Sequence, residues 1–339
     1  VDQPDFEFDF EKLHGASNDF IFIPHPILIN FKSQLELKNF VKNICHRNQG
    51  IGADGVVFYD LGKDKSKNKS NENLNQIKIF IVNSDGSYAG TCGNALRCLG
   101  FKLLRDKEWD GKTELPIYRL FPKHFSQNLN LISSDESFVL QTNSFAILNN
   151  ATLDSVITAT VHVAMGKEVN TKATPILENA LAQFGNTLDF LTPIYVELSN
   201  PHWIFISPNF QHFNRREFKE FGLFAQGELR SKSLEGEVPL ANIGMITLQQ
   251  KNSLQWNLVV FERGAGLTQC CGSGAVAARI ALEYSGFVSQ EVSDVSFQMP
   301  GGLVSISKPL NRGDETAQRV LKGPAHWVFK GNGLHRPNQ

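Results

Sequence analysis

One local pattern is written twice in this chain, far apart in sequence, and it constrains the fold more than any other feature. Asn83 to Leu104 reads NSDGSYAGTCGNALRCLGFKLL, and Phe261 to Ala281 reads FERGAGLTQCCGSGAVAARIA. In each, a strand end enters a polar, glycine-bearing turn, then Cys-Gly, then an apolar helix; the second helix is expected to start at about Gly272. Gly264 and Gly266 permit positive φ and close backbone approach. Cys92-Gly93-Asn94 parallels Cys271-Gly272-Ser273. A helix start presents uncovered backbone N–H groups and roughly half a positive charge. That stabilises a thiolate and binds a carboxylate. Two such units imply two similar domains facing one site, with one base to remove a proton and its opposite number to supply one. A cysteine before a glycine is also commonly a small buried residue; repetition of the whole pattern favours the chemical reading.

With 339 residues and 41 % hydrophobic content, the chain can build two domains of ordinary size. The net charge is −1 and no basic stripe appears, which argues against a nucleic-acid partner. No apolar run approaches the roughly 20 residues of a membrane span. The opening segment VDQPDFEFDFEK is acidic and lacks a signal pattern, so a soluble cytoplasmic protein is expected, with no membrane partner. The five cysteines, Cys45, Cys92, Cys98, Cys270 and Cys271, are odd in number, irregularly spaced and without CxxC. Neither a disulfide framework nor a structural metal site is expected, and no cofactor.

Along the chain, Phe6–Phe10 alternates as a strand, Lys12–Phe20 reads as a polar turn, and Ile21–Ile23 as a strand. Asn18 in that turn either caps the backbone or points its amide at a ligand. Leu35–Cys45 has helical spacing. His46–Gly55 is a glycine-rich loop without the lysine of a P-loop or a GxGxxG pattern, and it feeds the strand Val56–Tyr59. Leu61–Gln76 is a polar surface loop. Ile77–Val82 is a buried strand delivering Asn83, and Trp109–Asp135 an irregular lobe. Phe138–Asn149 and Thr158–Met165 alternate as strands, with a domain boundary near Gln141–Ser144. A short helix covers Ala173–Phe184. Pro201 stiffens the turn between the strands Ile194–Leu198 and Trp203–Ile206, placing His202 either as a structural residue or facing a cleft. Phe210–Phe224 is helical, Asn242 lies in Val238–Ile246, and Leu254–Phe261 feeds the second thiol helix. Strands surround Gly301-Gly302 within Val295–Ile306, and Arg319–Phe329 is a last strand. This mixture predicts an α+β fold rather than a doubly wound parallel sheet.

HGASNDF, NSDGS…TCGNALRC, SNPH and ERGAGLTQCCGSGA, in that order, resemble the diaminopimelate epimerase family, pyridoxal-independent enzymes that interconvert LL- and meso-diaminopimelate. The resemblance runs from about Phe8 to Phe329. It implies two pseudo-symmetric α+β domains, 6–143 and 144–317, each a barrel-like, mostly antiparallel sheet around a central helix, with the active site in the cleft between them. The final strand, about 318–330, can return to the first domain. By the same resemblance Cys92 and Cys271 are the acid/base pair, assisted by His202 and Glu262. Backbone N–H groups of Gly93, Asn94, Gly272 and Ser273 hold the α-carboxylate, with Asn18 lining that end. Asn83, Asn200, Asn242 and Arg263, with Glu262 beside them, hold the distal end of the substrate. A homodimer is implied.

Physical chemistry agrees with that assignment. An amino-acid α-proton is weakly acidic, so a carbanion formed without a cofactor ring needs aimed donors in a dry cleft. A thiolate can be tuned toward the working pH, and Arg263 can hold a carboxylate through two parallel hydrogen bonds. Cys270 competes with Cys271 by position, but the following Gly-Ser-Gly favours Cys271; Cys270 and Cys98 read as packed residues. Five positions depart from the family pattern: Ser17 and Ser199 replace glycines, Tyr88 an acidic residue and Leu267 a frequent Glu, and Gly55 stands where some members have Gln. None replaces a proton-transfer residue. Two other functions remain open at this level: a racemase of another amino acid such as histidine, and a non-catalytic amino-acid-binding relative.

Overall fold

The computed structural model describes residues 5–61, 77–89, 92–112, 114–122, 132–133, 138–141, 146–147, 152–155, 158–165, 170–173, 191–198, 200–207, 215–234, 240–248, 253–263, 265–308 and 319–336. The backbone forms two units: Val1–Val163 with Pro324–Gln339, and Ala164–Gly323.

In the first unit, β1 (Phe6–Gly15) and β2 (Asn18–Pro24) form an antiparallel hairpin with Gly15 opposite Asn18. The two-residue loop, Ala16-Ser17, has φ of 52° and 62°, the twist that a tight hairpin demands. Neither residue is glycine, so each bears a left-handed cost of roughly 1–2 kcal/mol. A 3-10 turn (His25–Asn30) and α1 (Gln34–Cys45) lead to β3 (Gly55–Asp60), parallel to β2. Ser33 starts α1 by accepting from the Glu36 N–H at 3.2 Å, and the Glu36 carboxylate accepts from the Lys32 N–H at 2.7 Å, a variant of the reciprocal cap. β4 (Ile77–Asn83) is antiparallel to β3, and β5 (Tyr88–Ala89) folds back on β4. Then come α2 (Gly93–Arg105) and β6 (Leu115–Pro122), which is parallel to β4. β7 (Ile132–Ser133), β8 (Phe138–Gln141), β9 (Ala146–Ile147), β10 (Thr152–Ser155) and β11 (Thr158–Met165) follow, with β8 and β9 antiparallel to β6.

Alternate strand residues Ile21, Ile23, Val56, Phe58, Phe80 and Val82 face Leu37, Phe40 and Val41 of α1, the meeting of a period of two with a helical stripe. α2 differs: it is buried continuously from Gly93 to Leu103, the condition of a helix enclosed by its surroundings rather than laid on a surface. Its buried Lys102 is held by Glu11 and by Asp106 at 2.6 Å.

In the second unit, β12 (Asn170–Ala173), β13 (Ile194–Glu197) and β14 (His202–Ser207) are successively antiparallel. α3 (Arg215–Leu234) connects β14 to β15 (Asn242–Leu248), which lies parallel to β14. β16 (Gln255–Glu262) is antiparallel to β15, and β17 (Gly266–Leu267) folds back on it. Then come α4 (Gly272–Tyr284) and β18 (Asp294–Met299), parallel to β16, with β19 (Gly302–Ser307) antiparallel to β18. Trp203, Phe205, Ile243, Met245 and Phe261 pack against Phe218, Phe221, Ala225 and Leu229 of α3. β20 (Arg319–His335) pairs first with β19 and then, in residues belonging to the first unit, with β1.

The element order is therefore the same twice. A helix joins two parallel strands; an antiparallel strand and a two-residue strand follow; then comes a cysteine-headed helix and a strand parallel to the last long one. The fold is mixed α+β, as expected. Several boundaries move. Lys12–Gly15 is strand rather than turn, because it pairs with Asn18–Ile21. Trp109–Asp135 is not irregular throughout: Leu115–Pro122 is strand β6. The helix expected over Phe210–Phe224 runs Arg215–Leu234, its polar second half having no proline to stop it, and the last strand continues to His335. Residues 62–76, the helix expected beyond Ala173, most of the Gln141–Ser144 boundary, Ser199 and Gly264 lie outside the described residues. Among the described residues no helix is long and apolar enough to cross a membrane.

Ser17→Gly relieves one left-handed side chain, so the urea midpoint of the variant should rise, equivalent to about 0.5–1 kcal/mol; an unchanged or lower midpoint would show that the turn holds no such strain.

Candidate active site

Each cysteine-headed helix gathers a cluster of polar side chains in its own unit. In the first unit Cys92 is the N-cap of α2, in extended conformation with φ −148° and ψ 110°. Its Sγ donates toward Asn18 Oδ1 at 3.9 Å. Asn18 opens β2 directly after the strained hairpin turn. Asn94 Nδ2 donates to Asn18 Oδ1 at 2.9 Å, and Asn94 Oδ1 accepts from Arg97 Nη2 at 2.7 Å. Asn18 Nδ2 donates to Asp54 Oδ2 at 2.7 Å. Asp54 also accepts from Arg47 Nη2 at 2.8 Å and from the Asp19 N–H at 3.2 Å. Burial raises the Asp19 carboxyl, but hydrogen bonds from Arg47 and Lys12 overcome it and hold the group below the usual carboxylate range. Burial and the Asp19 charge push Asp54 the other way. Asn83 ends β4 opposite Gly55, with its amide donating to Ser87 Oγ at 3.0 Å.

In the second unit Cys271 is the N-cap of α4, with φ −124° and ψ 108°, and its Sγ accepts from the Gly274 N–H at 3.4 Å. Ser273 Oγ lies 3.5 Å from that sulfur and 3.0 Å from His202 Nε2, so His202, Ser273 and Cys271 form a continuous polar chain. His202 begins β14 and is fully buried; burial lowers its pKa to about 3, which keeps the imidazole neutral. Burial pushes the Cys271 thiol well up, and the Glu262 charge adds to this; hydrogen bonds from Ser273 and Gly274 oppose both. The thiolate-stabilising helix start expected from sequence is thus outweighed by desolvation. Glu262 ends β16 and accepts from Thr268 Oγ1 at 2.6 Å. Asn242 pairs with His202 across the parallel ladder, and its Oδ1 accepts from the Arg263 N–H at 2.9 Å. The exposed Arg263 guanidinium reaches Leu240 O at 3.4 Å. Asn200 is half-buried just before Pro201, whose carbonyl accepts from the Asn242 N–H at 2.9 Å. Gly266 has φ 74°, the positive φ that its lack of a side chain permits.

Asn18, Cys92, Gly93 and Asn94 are thus gathered in the first unit, with Asn83 on the neighbouring strand end. Asn200, His202, Asn242, Glu262, Arg263, Cys271, Gly272 and Ser273 are gathered in the second. Cys270 is buried with its sulfur 3.6 Å from Met299 Sδ, and Cys98 is enclosed in α2. Sequence reasoning missed Arg47, Asp54, Arg97 and the Ser273 side chain. Arg47 and Asp54 are the charged members of HRNQGIGADG, a signal available in a loop otherwise rich in glycine. Arg97 follows Asn94 by three residues on a helix, the spacing at which side chains meet. Among the described residues no group of three or more His, Cys, Asp or Glu is placed to hold a metal ion. Each cluster offers a thiol beside helix-start N–H groups, an arrangement suited to exchanging a proton next to a bound carboxylate.

The profile of the family described as Diaminopimelate epimerase matches residues 10–115 and 194–328. The diaminopimelate epimerase of Natranaerobius thermophilus is 28 % identical over 342 residues, covering 95 % of this chain and 97 % of that protein. Among solved structures, a phenazine biosynthesis protein of the PhzF family from Bacillus anthracis superposes with a TM-score of 0.59 at 12 % identity, covering 97 % of this chain and 100 % of that one. A hydroxyproline epimerase from Agrobacterium vitis, with bound trans-4-OH-L-proline, also gives 0.59, at 9 % identity, covering 98 % and 92 %. These structural likenesses concern the fold.

A buried neutral His202 links stability to pH. Its folded pKa of about 3 lies below the unfolded value of 6.5, so between these the unfolded chain binds the extra proton. The contribution is complete above pH 6.5 and is lost as pH falls toward 3. His202→Asn should flatten the fall of the melting temperature over that window; an equally steep fall in the variant would assign the effect to other groups.

Proposed function

The chain belongs to the diaminopimelate epimerase family and is an isomerase; from that premise we propose that it interconverts LL- and meso-diaminopimelate by moving a proton between two thiols, in the synthesis of lysine and cell-wall precursors. The observation that supports this most strongly is the repetition of one device: a cysteine as N-cap of an enclosed helix, once in each of two units with the same element order. In this reading the chain makes two pseudo-symmetric domains, each with its sheet wrapped on its central helix. Inversion at carbon requires a base on one face and an acid on the other, so Cys92 and Cys271 must both reach one α-carbon from opposite sides.

As the proton leaves, charge builds on the substrate α-carboxylate. Helix-start N–H groups of Gly93, Asn94, Gly272 and Ser273 meet that charge without reorganising. This takes the place of a cofactor that would otherwise delocalise the carbanion. Asn18 lines the same end. His202 and Glu262 serve the thiols: the neutral imidazole, through the Ser273 hydroxyl, offers Cys271 a route for its proton, and the Glu262 charge makes that thiol a stronger base once ionised. Arg263, with Asn83, Asn200 and Asn242, holds the distal carboxylate, which selects a substrate with two amino-acid ends. The enzyme works in the cytoplasm as a homodimer.

Proton NMR of LL-diaminopimelate in D₂O with reduced enzyme tests the substrate. Deuterium should enter at the α-carbon as meso product appears, while histidine and glutamate remain unlabelled. Label in histidine alone would transfer the protein to another racemase, and no label anywhere would favour a binding role. Cys92→Ser and Cys271→Ser should each lower the epimerisation rate by about 10²- to 10⁴-fold; full activity in both variants would remove the thiols from the mechanism.

A further inference from the structure

We propose that Arg97 is a positioning residue: with Asp54 it fixes the direction of the amide chain Arg97–Asn94–Asn18–Asp54, so that Asn18 Oδ1 is held as the acceptor for the Cys92 S–H. This role rests on Cys92 being a proton-transfer group, as proposed above.

An asparagine amide can be turned end for end, exchanging its donor for its acceptor. Here neither can turn. A guanidinium has donors only, so the atom of Asn94 facing Arg97 Nη2 at 2.7 Å is the oxygen. Asp54 accepts N–H bonds on both carboxylate oxygens, from Arg47 and from the Asp19 backbone, so the atom of Asn18 facing it at 2.7 Å is the nitrogen. The middle bond, Asn94 Nδ2 to Asn18 Oδ1 at 2.9 Å, then has one possible direction. A carbonyl oxygen has two lone pairs. One receives Asn94, and Cys92 Sγ stands 3.9 Å from the same atom, where a sulfur can take part only as donor. At Cys271 the polarity is opposite, since its sulfur accepts from the Gly274 N–H. The two thiols therefore differ in hydrogen-bond polarity, Cys92 as donor and Cys271 as acceptor.

Stability alone does not account for Arg97. It is fully buried, yet its Nε and Nη1 have no hydrogen-bond partner among the described residues, an unfavourable state for a cation. Arg279, at 0 % exposure on the second enclosed helix, shows what a stabilising arginine looks like: it bonds Glu283 at 2.8 Å, Ser293 O at 3.1 Å and Ile306 O at 2.6 Å. The fit around Arg97 is also close. A Cβ on Gly15 would lie 3.0 Å from Arg97 Nη2 and 3.2 Å from Asn94 O, so the hairpin end bearing Asn18 is pressed directly onto the guanidinium and the helix start.

The test is Cys92 alkylation by iodoacetamide as a function of pH, read by mass spectrometry with Cys271 in the same digest as reference. Arg97→Gln and Arg97→Met are each made alone and with Asn18→Ala. Loss of the cation slows alkylation in either background, because a nearby positive charge favours thiolate, and this cancels in the comparison. Loss of the chain's direction removes the S–H acceptor, and it does so only where Asn18 is present. The Arg97 substitution should therefore speed Cys92 alkylation by about three- to tenfold more with Asn18 than without it. The same effect in both backgrounds overturns the proposal. A second measurement needs no Arg97 variant. The S–H infrared band of reduced protein at neutral pH, assigned by its loss in Cys92→Ser, should shift in Asn18→Ala; no such band, or one that stays in place, overturns the proposal even if the Arg97 variants do not fold. Neither measurement depends on turnover. An inactive protein that shows the coupling would reject the epimerase reading and keep this one, and an active protein without it would do the reverse.

Discussion

The first turn of an α-helix leaves backbone N–H groups that the helix cannot satisfy, and both enclosed helices of this chain leave theirs beside a cysteine. Most of the local architecture follows from that. A residue at an N-cap must be extended while its neighbours are helical, so a strand, a reversal and a helix have to meet within a few residues. β4, β5 and α2 meet in this way, and β16, β17 and α4 repeat it. Ser, Thr, Asp or Asn would cap better. Placing sulfur there sacrifices capping energy for a group that can exchange a proton at the point where helix-start donors gather.

Enclosing such helices creates a second constraint, since a polar side chain on them has no water to turn to. The chain meets it in contrasting ways. Arg279 is bonded to main-chain carbonyls and to Glu283, which in turn holds Arg319 at 2.7 Å. These bonds tie α4 to the β18–β19 layer. Around α2 the charges run toward the site instead, through Asn94, Asn18 and Asp54 to Arg47. Buried polar chains gain in strength from low dielectric but are costly when any member lacks a partner, so the two networks mark different uses of the same position.

Much of this was legible in the sequence, for reasons that differ by residue. Cys92 and Cys271 could be located because a turn, a Cys-Gly pair and an apolar run form a local signal, and the signal occurs twice. Thr158–Met165 and Ile77–Val82 were legible because alternation or a continuous apolar run specifies a strand without help from elsewhere. What could not be read were facts made by distant partners. Lys12–Gly15 looks like a turn until β20 and β2 pair with it. The charge on the Cys271 thiol is decided by burial, which no local motif reports. Arg97 looks like the exposed face of an amphipathic helix, and only enclosure of α2 turns it inward. The Ser273 hydroxyl became visible once β14 delivered His202 to within 3.0 Å.

The pairing of β1 with the far end of β20 has a consequence for the order of assembly on the ribosome. Phe6 is matched with His335 and Glu11 with Lys330, so β1 lacks one of its two neighbours until β20 has been made. The second unit, whose strands are nearly contiguous in sequence, can close while the first still presents an open edge. Such an edge is a template for wrong pairing, and contacts of this sequence separation are slow to form. One side of β1 is therefore unprotected until β20 is released, an interval that includes synthesis of the whole second unit.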